Sequence, residues 1–146
     1  MSSLHCPGVG DFAAFSGDKS GKDNPSDIAI AGVGPIPPGR YYIVDRGSGG
    51  VFSQLRDFIG ARTWSTDKSQ WFSLYSAQTM NDWVFVHGVR RGNFRLHPVG
   101  PEHLSEGCIT LTDQAQFRRL HAALKASSRI PMPGGKGFAY GTVDVK

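Results

Sequence analysis

Short apolar runs, separated by glycine, proline and polar residues, recur through the first hundred positions of the chain. These runs are four to six residues long and rich in aromatic and β-branched side chains, which favours strands over helices. The predicted strands are residues 12–15, 28–33, 40–44, 71–75 and 83–87, followed by a last one at 138–145. The pattern therefore predicts a mostly β protein.

Turn residues indicate how these strands are connected. Residues 34–39 are a rigid turn rich in proline and glycine, and Asn81-Asp82 is a second turn. Gly92-Asn93 separates the apolar residues 84–86 from residues 94–96. This spacing predicts that those two segments are adjacent strands of one sheet.

Helical spacing is visible in two places. Residues 51–61, after a Gly-rich loop at 47–50, have a helix-like pattern, and residues 113–127 have a clearer one. The apolar positions of the second helix are Phe117, Leu120 and Leu124, and its candidate N-caps are Thr112 and Asp113. This helix directly follows Cys108, and its positive end would favour a thiolate if it points toward the sulfur.

The 146 residues suffice for one hydrophobic core without metal or disulfide support. No linker or internal repeat divides them, so residues 1–146 are predicted to form a single domain. No apolar stretch approaches the roughly 18 residues of a membrane-spanning helix. The N-terminus also lacks the basic and apolar regions of a signal peptide, so we expect neither a transmembrane segment nor a cleaved signal.

The formal net charge is +4, but the basic residues are scattered. Only Arg90-Arg91 and Arg118-Arg119 are adjacent, and no nucleic-acid-binding motif accompanies them, so we expect no nucleic-acid partner. No cluster of residues has metal-ligand spacing, and the Pro-Gly turn lacks the lysine of a phosphate-binding loop. We therefore expect neither a metal nor a cofactor.

Cys108 and His97 form the strongest candidate for chemistry. They lie eleven residues apart on two apolar segments joined by a polar loop rich in proline and glycine. A free thiol has a pKa of about 8.5, and an imidazole within hydrogen-bonding reach makes the thiolate nucleophile available. Gly107 permits a tight turn beside the sulfur, and the N–H groups of Gly107 and Cys108 could form an oxyanion hole.

Several alternatives stay open at this stage. His87 and His103 compete with His97 for the role of base, and Cys108 could instead be a small buried hydrophobe or pair with Cys6 in a disulfide. Arg95 is a candidate ligand for a substrate carboxylate or an ordinary solvent-facing strand residue. Ser105 either positions the loop and donates a hydrogen bond or simply serves the turn.

The segment Ser-Glu-Gly-Cys-Ile-Thr-Leu at 105–111 resembles the Ser/Thr-x-Gly-Cys signature of the YkuD-like L,D-transpeptidases. Many of those enzymes have histidine where this chain has Glu106, and often arginine or asparagine where it has Thr110. Both departures are closer to a smaller group, the L,D-transpeptidase-like effectors of bacterial type VI secretion systems. Residues 15–17, 34–43, 71–75 and 91–98 extend this resemblance, which covers about residues 12–145.

The resemblance implies a YkuD-like β-sandwich or barrel in which Cys108 attacks an amide of a peptidoglycan stem peptide. His97 matches the effector motif Phe-Arg-Leu-His-Pro, whereas His87 lies in a Val-His-Gly segment like that of larger L,D-transpeptidases. Water would resolve the acyl-enzyme as an L,D-carboxypeptidase, a free D-amino acid would give exchange, and a second stem peptide would give a crosslink. The sequence does not rank these outcomes.

The same resemblance implies synthesis in the cytoplasm, secretion, and action in the periplasm of target bacteria. It further implies a cognate immunity protein and a contact with a component of the secretion apparatus. Two other functions stay open: a non-catalytic cell-wall or partner-binding module on the same scaffold, and a cysteine peptidase or amidase acting on a different amide.

Overall fold

The computed structural model describes residues 1–46, 70–100 and 107–146. The described residues contain eleven strands and one α-helix, together with short 3-10 helices at Lys19–Gly21, Pro25–Asp27 and Pro133–Gly135. The elements are β1 (Ser2–Cys6), β2 (Gly10–Phe15), β3 (Gly39–Asp45), β4 (Phe72–Ser76), β5 (Trp83–Val86), β6 (Val89–Gly92), β7 (Arg95–Pro98), β8 (Ile109–Leu111), α1 (Gln114–Ala126), β9 (Ile130–Pro131), β10 (Phe138–Ala139) and β11 (Gly141–Val145). The predicted fold class, a mostly β sandwich or barrel with one helix after Cys108, is confirmed.

Seven strands form one curled sheet in the order β1-β2-β8-β7-β4-β3-β11. The pair β7–β8 is parallel, whereas the other neighbours in this sheet are antiparallel. Buried side chains from several of these strands meet those of the helix in one core, among them Phe12, Leu74, Leu96, Leu111 and Phe117. This core supports the parallel pair that carries the candidate site.

The helix α1 forms where the sequence predicts it. The Asp113 side chain accepts a hydrogen bond from the backbone N–H of Gln116 at 3.0 Å, which caps the first turn. The apolar stripe of Phe117, Leu120 and Leu124 is buried against the sheet. Burial of each such side chain stabilises the fold by about 1.5–3 kcal/mol, so packing fixes the helix in place.

Residues 28–33 were expected to form a strand, and this prediction is wrong. The segment consists of turns that continue from the 3-10 helix Pro25–Asp27, with backbone bonds from Ile30 N–H to Asp27 and from Gly34 N–H to Ile30, both 2.8 Å. Gly32 adopts a φ of 75°, a left-handed conformation that turns the chain. The alternation of isoleucine with alanine in this segment therefore reflects a compact turn and no sheet pairing.

The strand at 84–86 does not neighbour 94–96 in one sheet, as the Gly92-Asn93 spacing had suggested. Instead β5 pairs with β6 in a separate two-stranded ribbon. His87 and Gly88 form its two-residue turn with φ values of 48° and 78°, as a type I′ hairpin requires. The expected strand 138–145 is likewise divided, since β10 pairs with β9 and β11 with β3.

The N-terminus forms the edge strand β1 against β2. The predicted loop at 47–50 and helix at 51–61 lie outside the described residues. In the described ranges, no helix has both the length and the apolar character needed to cross a membrane.

Candidate functional site

The parallel pair β7–β8 places His97 beside Thr110. The two residues are register partners, so their side chains leave the same face of the sheet. The Thr110 hydroxyl oxygen lies 3.3 Å from Nε2 of His97, and both side chains are buried. The neighbouring pairs Leu96–Ile109 and Pro98–Leu111 alternate with this pair, and Leu96, Ile109 and Leu111 belong to the core.

The imidazole of His97 is held on three sides. Its side chain is 4% exposed, and its Nδ1 atom lies 2.8 Å from the carbonyl oxygen of Pro98. Because a carbonyl can only accept, Nδ1 carries a proton and donates it to Pro98. The Trp71 ring stacks on the imidazole with centroids 4.1 Å apart and planes at 17°. In the neutral ring this bond leaves Nε2 as the acceptor, and this is the nitrogen that faces Thr110.

Cys108 directly precedes β8 and lies two residues before Thr110, the spacing at which strand side chains share one face. At about 3.3 Å rise per residue, the Cα atoms of these two residues are about 7 Å apart. The Cys108 side chain is buried, with 8% exposure, and its thiol donates to the carbonyl oxygen of Asn93 at 3.6 Å. The structure thus places the predicted base opposite Thr110, and the predicted nucleophile in the residue that directly precedes the same strand.

Gly107 occupies a position that a larger residue would strain. Its φ is 89°, in the left-handed region, and a Cβ atom there would lie 2.7 Å from Nη2 of Arg91 and 3.5 Å from the Phe94 ring. The sequence singled out Gly107 for its turn. The structure adds that the glycine makes room for the buried guanidinium of Arg91 beside the residue that precedes the cysteine.

Arg91 is a residue of this site that the sequence analysis missed. Its side chain is 1% exposed, and it donates to the carbonyl oxygens of Gly34 at 2.8 Å, Pro35 at 3.3 Å and Ile28. Burial lowers the pKa of Arg91, and Tyr41 acts in the opposite direction. A correct assignment of the β5–β6 hairpin would have indicated this burial, because the hairpin places Arg91 opposite Val84 on the buried face of the ribbon.

Arg95 lies on β7 and is buried, so the interpretation as an ordinary solvent-facing residue is wrong. Its Nη1 donates to a carboxylate oxygen of Asp82 at 2.8 Å and to the backbone carbonyl of Phe94 at 2.9 Å. The guanidinium thus binds a carboxylate of this chain. A substrate carboxylate would accept the same kind of charge-assisted hydrogen bond.

The other candidates are placed differently. His87 lies in the exposed turn of the β5–β6 ribbon, in a different sheet from the one that carries His97. His103 and Ser105 lie outside the described residues. Cys6 and Cys108 are both free thiols, so the disulfide alternative is wrong. Within the described part of the chain, no three histidine, cysteine or acidic side chains are grouped as metal ligands would be.

Comparison with known protein families gives one match. The profile of the family described as the Tlde1 domain matches residues 10–135, which include β2 to β9, the helix α1, and both His97 and Cys108. No curated protein and no solved structure matches the chain.

Proposed function

The chain belongs to the Tlde1 domain family of type VI secretion effectors, and we propose that it acts on peptidoglycan stem peptides by cysteine-dependent acyl transfer. One observation supports this proposal: His97, with its Nδ1 proton bound to Pro98, presents Nε2 to Thr110, the residue two positions after Cys108. Thioester chemistry requires a base whose acceptor nitrogen is within reach of the thiol, and the fixed tautomer of His97 supports that role.

The proposed reaction begins when Nε2 of His97 takes the proton of the Cys108 thiol. The thiolate attacks the carbonyl carbon of the amide between the L-centre of the diamino acid and D-alanine. A carbon–sulfur bond forms as the carbon–nitrogen bond breaks, and His97 returns its proton to the leaving amine nitrogen. The products of this step are free D-alanine and a thioester on Cys108.

Groups of the protein stabilise the two charges that develop in this step, the imidazolium and the oxyanion. The imidazolium that forms on His97 keeps its Nδ1–H bonded to the Pro98 carbonyl, which fixes the ring during proton transfer. The backbone N–H groups of Gly107 and Cys108 are the candidate donors to the oxyanion.

The acceptor decides the product. If water attacks the thioester, the tetrapeptide becomes a tripeptide, and the protein is an L,D-carboxypeptidase. If a free D-amino acid attacks, its amine replaces that of D-alanine, and the result is exchange. If a second stem peptide attacks, the result is a crosslink. All three reactions share the thioester, so one set of variants tests the nucleophile for each of them.

The direct test is mass spectrometry of purified tetrapeptide muropeptides incubated with the protein, with and without a free D-amino acid. The parent protein should remove one D-alanine or replace it, and Cys108→Ala should leave the mass unchanged. Cys6→Ala is the matched control, because Cys6 is the chain's other free thiol and lies on the edge strand β1. Equal turnover by Cys108→Ala would overturn the proposal.

A second function is favoured by one observation: the Cys108 thiol is buried and bound to the Asn93 carbonyl, as a structural cysteine would be. A binding module on this scaffold would retain sacculi equally well with Cys108 and with alanine, and would release no D-alanine. A cysteine peptidase or amidase acting on another bond would give products of a different mass.

The site of action belongs to the same proposal. A secreted effector that trims stem peptides meets its substrate in the periplasm of the target cell, and the producing cell needs an immunity protein that blocks the site. We also propose a contact with a component of the secretion apparatus. Expression directed to the periplasm should arrest growth with the parent protein and leave growth normal with Cys108→Ala.

A further inference from the structure

A buried positive charge lies against Gly107, the residue that precedes the candidate nucleophile. Arg91 is among the largest side chains that the fold buries completely. The hydrogen bonds described for it go to the backbone carbonyls of Ile28, Gly34 and Pro35, and none of them goes to a carboxylate. Within the described residues this charge has no carboxylate partner, and a buried charge carries a desolvation cost of several kcal/mol, so an arginine in such a place suggests a specific use.

The three carbonyls belong to the turn segment 28–35, which lies far from Arg91 in sequence. The planar guanidinium donates through both terminal nitrogens and so fixes this segment against β6. On its other side the same Nη2 faces Gly107, where a Cβ would approach it to 2.7 Å. Arg91 therefore joins the turn segment to the peptide that leads into Cys108.

We infer that Arg91 is a positioning residue, which fixes the Gly107–Cys108 turn and supplies the fixed positive charge that stabilises the Cys108 thiolate. The inference rests on the proposed function, because it assigns a role to Arg91 in the activation of that nucleophile. A positive charge within several ångströms of a thiol favours the thiolate, and the low polarity of a buried site strengthens the effect.

The other titratable groups that the structure describes around this site do not supply the same charge. The guanidinium of Arg95, on β7, is already paired with the carboxylate of Asp82. His97 is the proposed base and is neutral while it accepts. Burial raises the pKa of Tyr41, on β3, well above its usual range, and its hydroxyl donates to the Pro37 carbonyl at 2.7 Å, so it stays neutral. Arginine itself keeps its proton at every pH at which the protein is folded.

The test measures the thiol directly and needs no substrate. Thiolate absorbance near 240 nm is followed against pH in a Cys6→Ala background, with the Cys6→Ala/Cys108→Ala protein as the blank. Replacement of Arg91 by methionine keeps the side-chain length and removes the charge. We expect Cys108 to ionise about one pH unit higher in Arg91→Met, which is the size of shift that one nearby charge produces.

Arg91→Lys separates charge from geometry. This variant keeps the positive charge and loses the bidentate guanidinium donor. The Cys108 thiol should therefore ionise within a few tenths of a pH unit of the parent value. Its muropeptide turnover should still fall, because the turn is no longer fixed. A folded Arg91→Met protein with the parent titration curve would overturn the inference.

If Arg91→Met does not fold, Gly107→Ala tests the same role of Arg91. The added methyl group would displace the guanidinium from its place against residue 107. An unchanged titration curve in that variant would also overturn the inference. The two proposals fail separately: a parent protein with a readily ionised thiol and no turnover contradicts the proposed function alone. A parent protein with turnover whose thiol titration is insensitive to Arg91 contradicts the inference alone.

Discussion

His97 and Thr110 are register partners in the parallel pair β7–β8, and the Thr110 hydroxyl oxygen lies 3.3 Å from Nε2 of His97. The same nitrogen must accept the thiol proton in the proposed reaction. Thr110 therefore holds the imidazole in its resting orientation, and in the proposed reaction Cys108 takes its place as the donor. This relationship gives Thr110 a measurable role, although the sequence marked it only as a departure from the L,D-transpeptidase pattern.

We expect Thr110→Val to lower both stability and turnover. The change keeps the shape of this buried side chain and removes one buried hydrogen bond, a loss of about 1 kcal/mol. For a domain of this size the melting temperature should fall by roughly 2–4 °C. Turnover should fall further than the folded fraction explains, because the imidazole is less well oriented. Thr110→Ser, which keeps the hydroxyl, is the control and should retain most of the turnover.

His97 and His87 can be separated by a matched pair of substitutions. His97→Gln should lower muropeptide turnover by about 10²–10⁴-fold, the usual contribution of a general base. His87→Gln should leave turnover unchanged, because His87 lies in the exposed turn of the β5–β6 ribbon. Initial rates measured by release of D-alanine distinguish the two. The reverse result would assign the base to His87 and would contradict the proposed site.

The sequence predicted those features of the site that depend on neighbouring residues. The helix α1 was predicted because its cap at Asp113 and its apolar stripe are local signals. The proximity of His97 and Cys108, inferred from the turning capacity of the residues between them, stays a prediction. The burial of Arg91 was not predicted, because its carbonyl partners lie 56 to 63 residues away in sequence and only the tertiary fold brings them there.

The wrong predictions have a similar cause. Residues 28–33 have the alternating pattern of a strand, but the chain turns there and its backbone forms local hydrogen bonds within the turns. The strand at 84–86 was predicted to neighbour residues 94–96 because Gly92-Asn93 resembles a turn. In the structure the turn after this strand is His87-Gly88, and the strand pairs with β6. Histidine is not a usual residue for a left-handed hairpin position, so the competing Gly-Asn turn gave the stronger signal.

Gly34→Ala should be strongly destabilising. A Cβ at Gly34 would overlap the backbone carbonyl of Asp27 and lie 3.1 Å from Nη1 of Arg91. Backbone atoms cannot move aside as a side chain does, so we expect a loss of at least about 2–3 kcal/mol in the free energy of unfolding. Gly141→Ala is the control, because its Cβ would meet nothing within 4 Å. Urea unfolding of the two variants gives the comparison, and equal midpoints would contradict the described turn.

The stability of the protein should depend on Asp45 at acidic pH. Burial raises the pKa of Asp45, but hydrogen bonds from Lys125 at 2.7 Å and Tyr140 at 2.8 Å outweigh it, and the net pKa is lowered. A carboxylate with a lowered pKa stabilises the fold above its unfolded pKa of about 3.9 and loses that contribution as the pH falls through the folded value.

Asp45→Asn should therefore lower the melting temperature at pH 7 but not near pH 2. The side chains of Asp45 and Lys125 are 57% and 41% exposed, so solvent screening limits the contribution to at most about 1 kcal/mol. Thermal unfolding of both proteins from pH 2 to pH 7 measures the difference. A gap in melting temperature that stays constant across this range would contradict the assignment.

Because Trp71 stacks on His97, tryptophan fluorescence can be used to follow the protonation of the proposed base. The two rings lie 4.1 Å apart and nearly parallel, and a protonated imidazole in contact with an indole quenches its fluorescence. Protonation of His97 in acid should therefore lower the tryptophan emission. His97→Gln should abolish that transition, whereas His87→Gln should preserve it. Because the same protonation removes the acceptor for the Cys108 thiol, muropeptide turnover should fall with the emission in a single transition. Two separate transitions would mean that a group other than His97 limits the reaction at low pH.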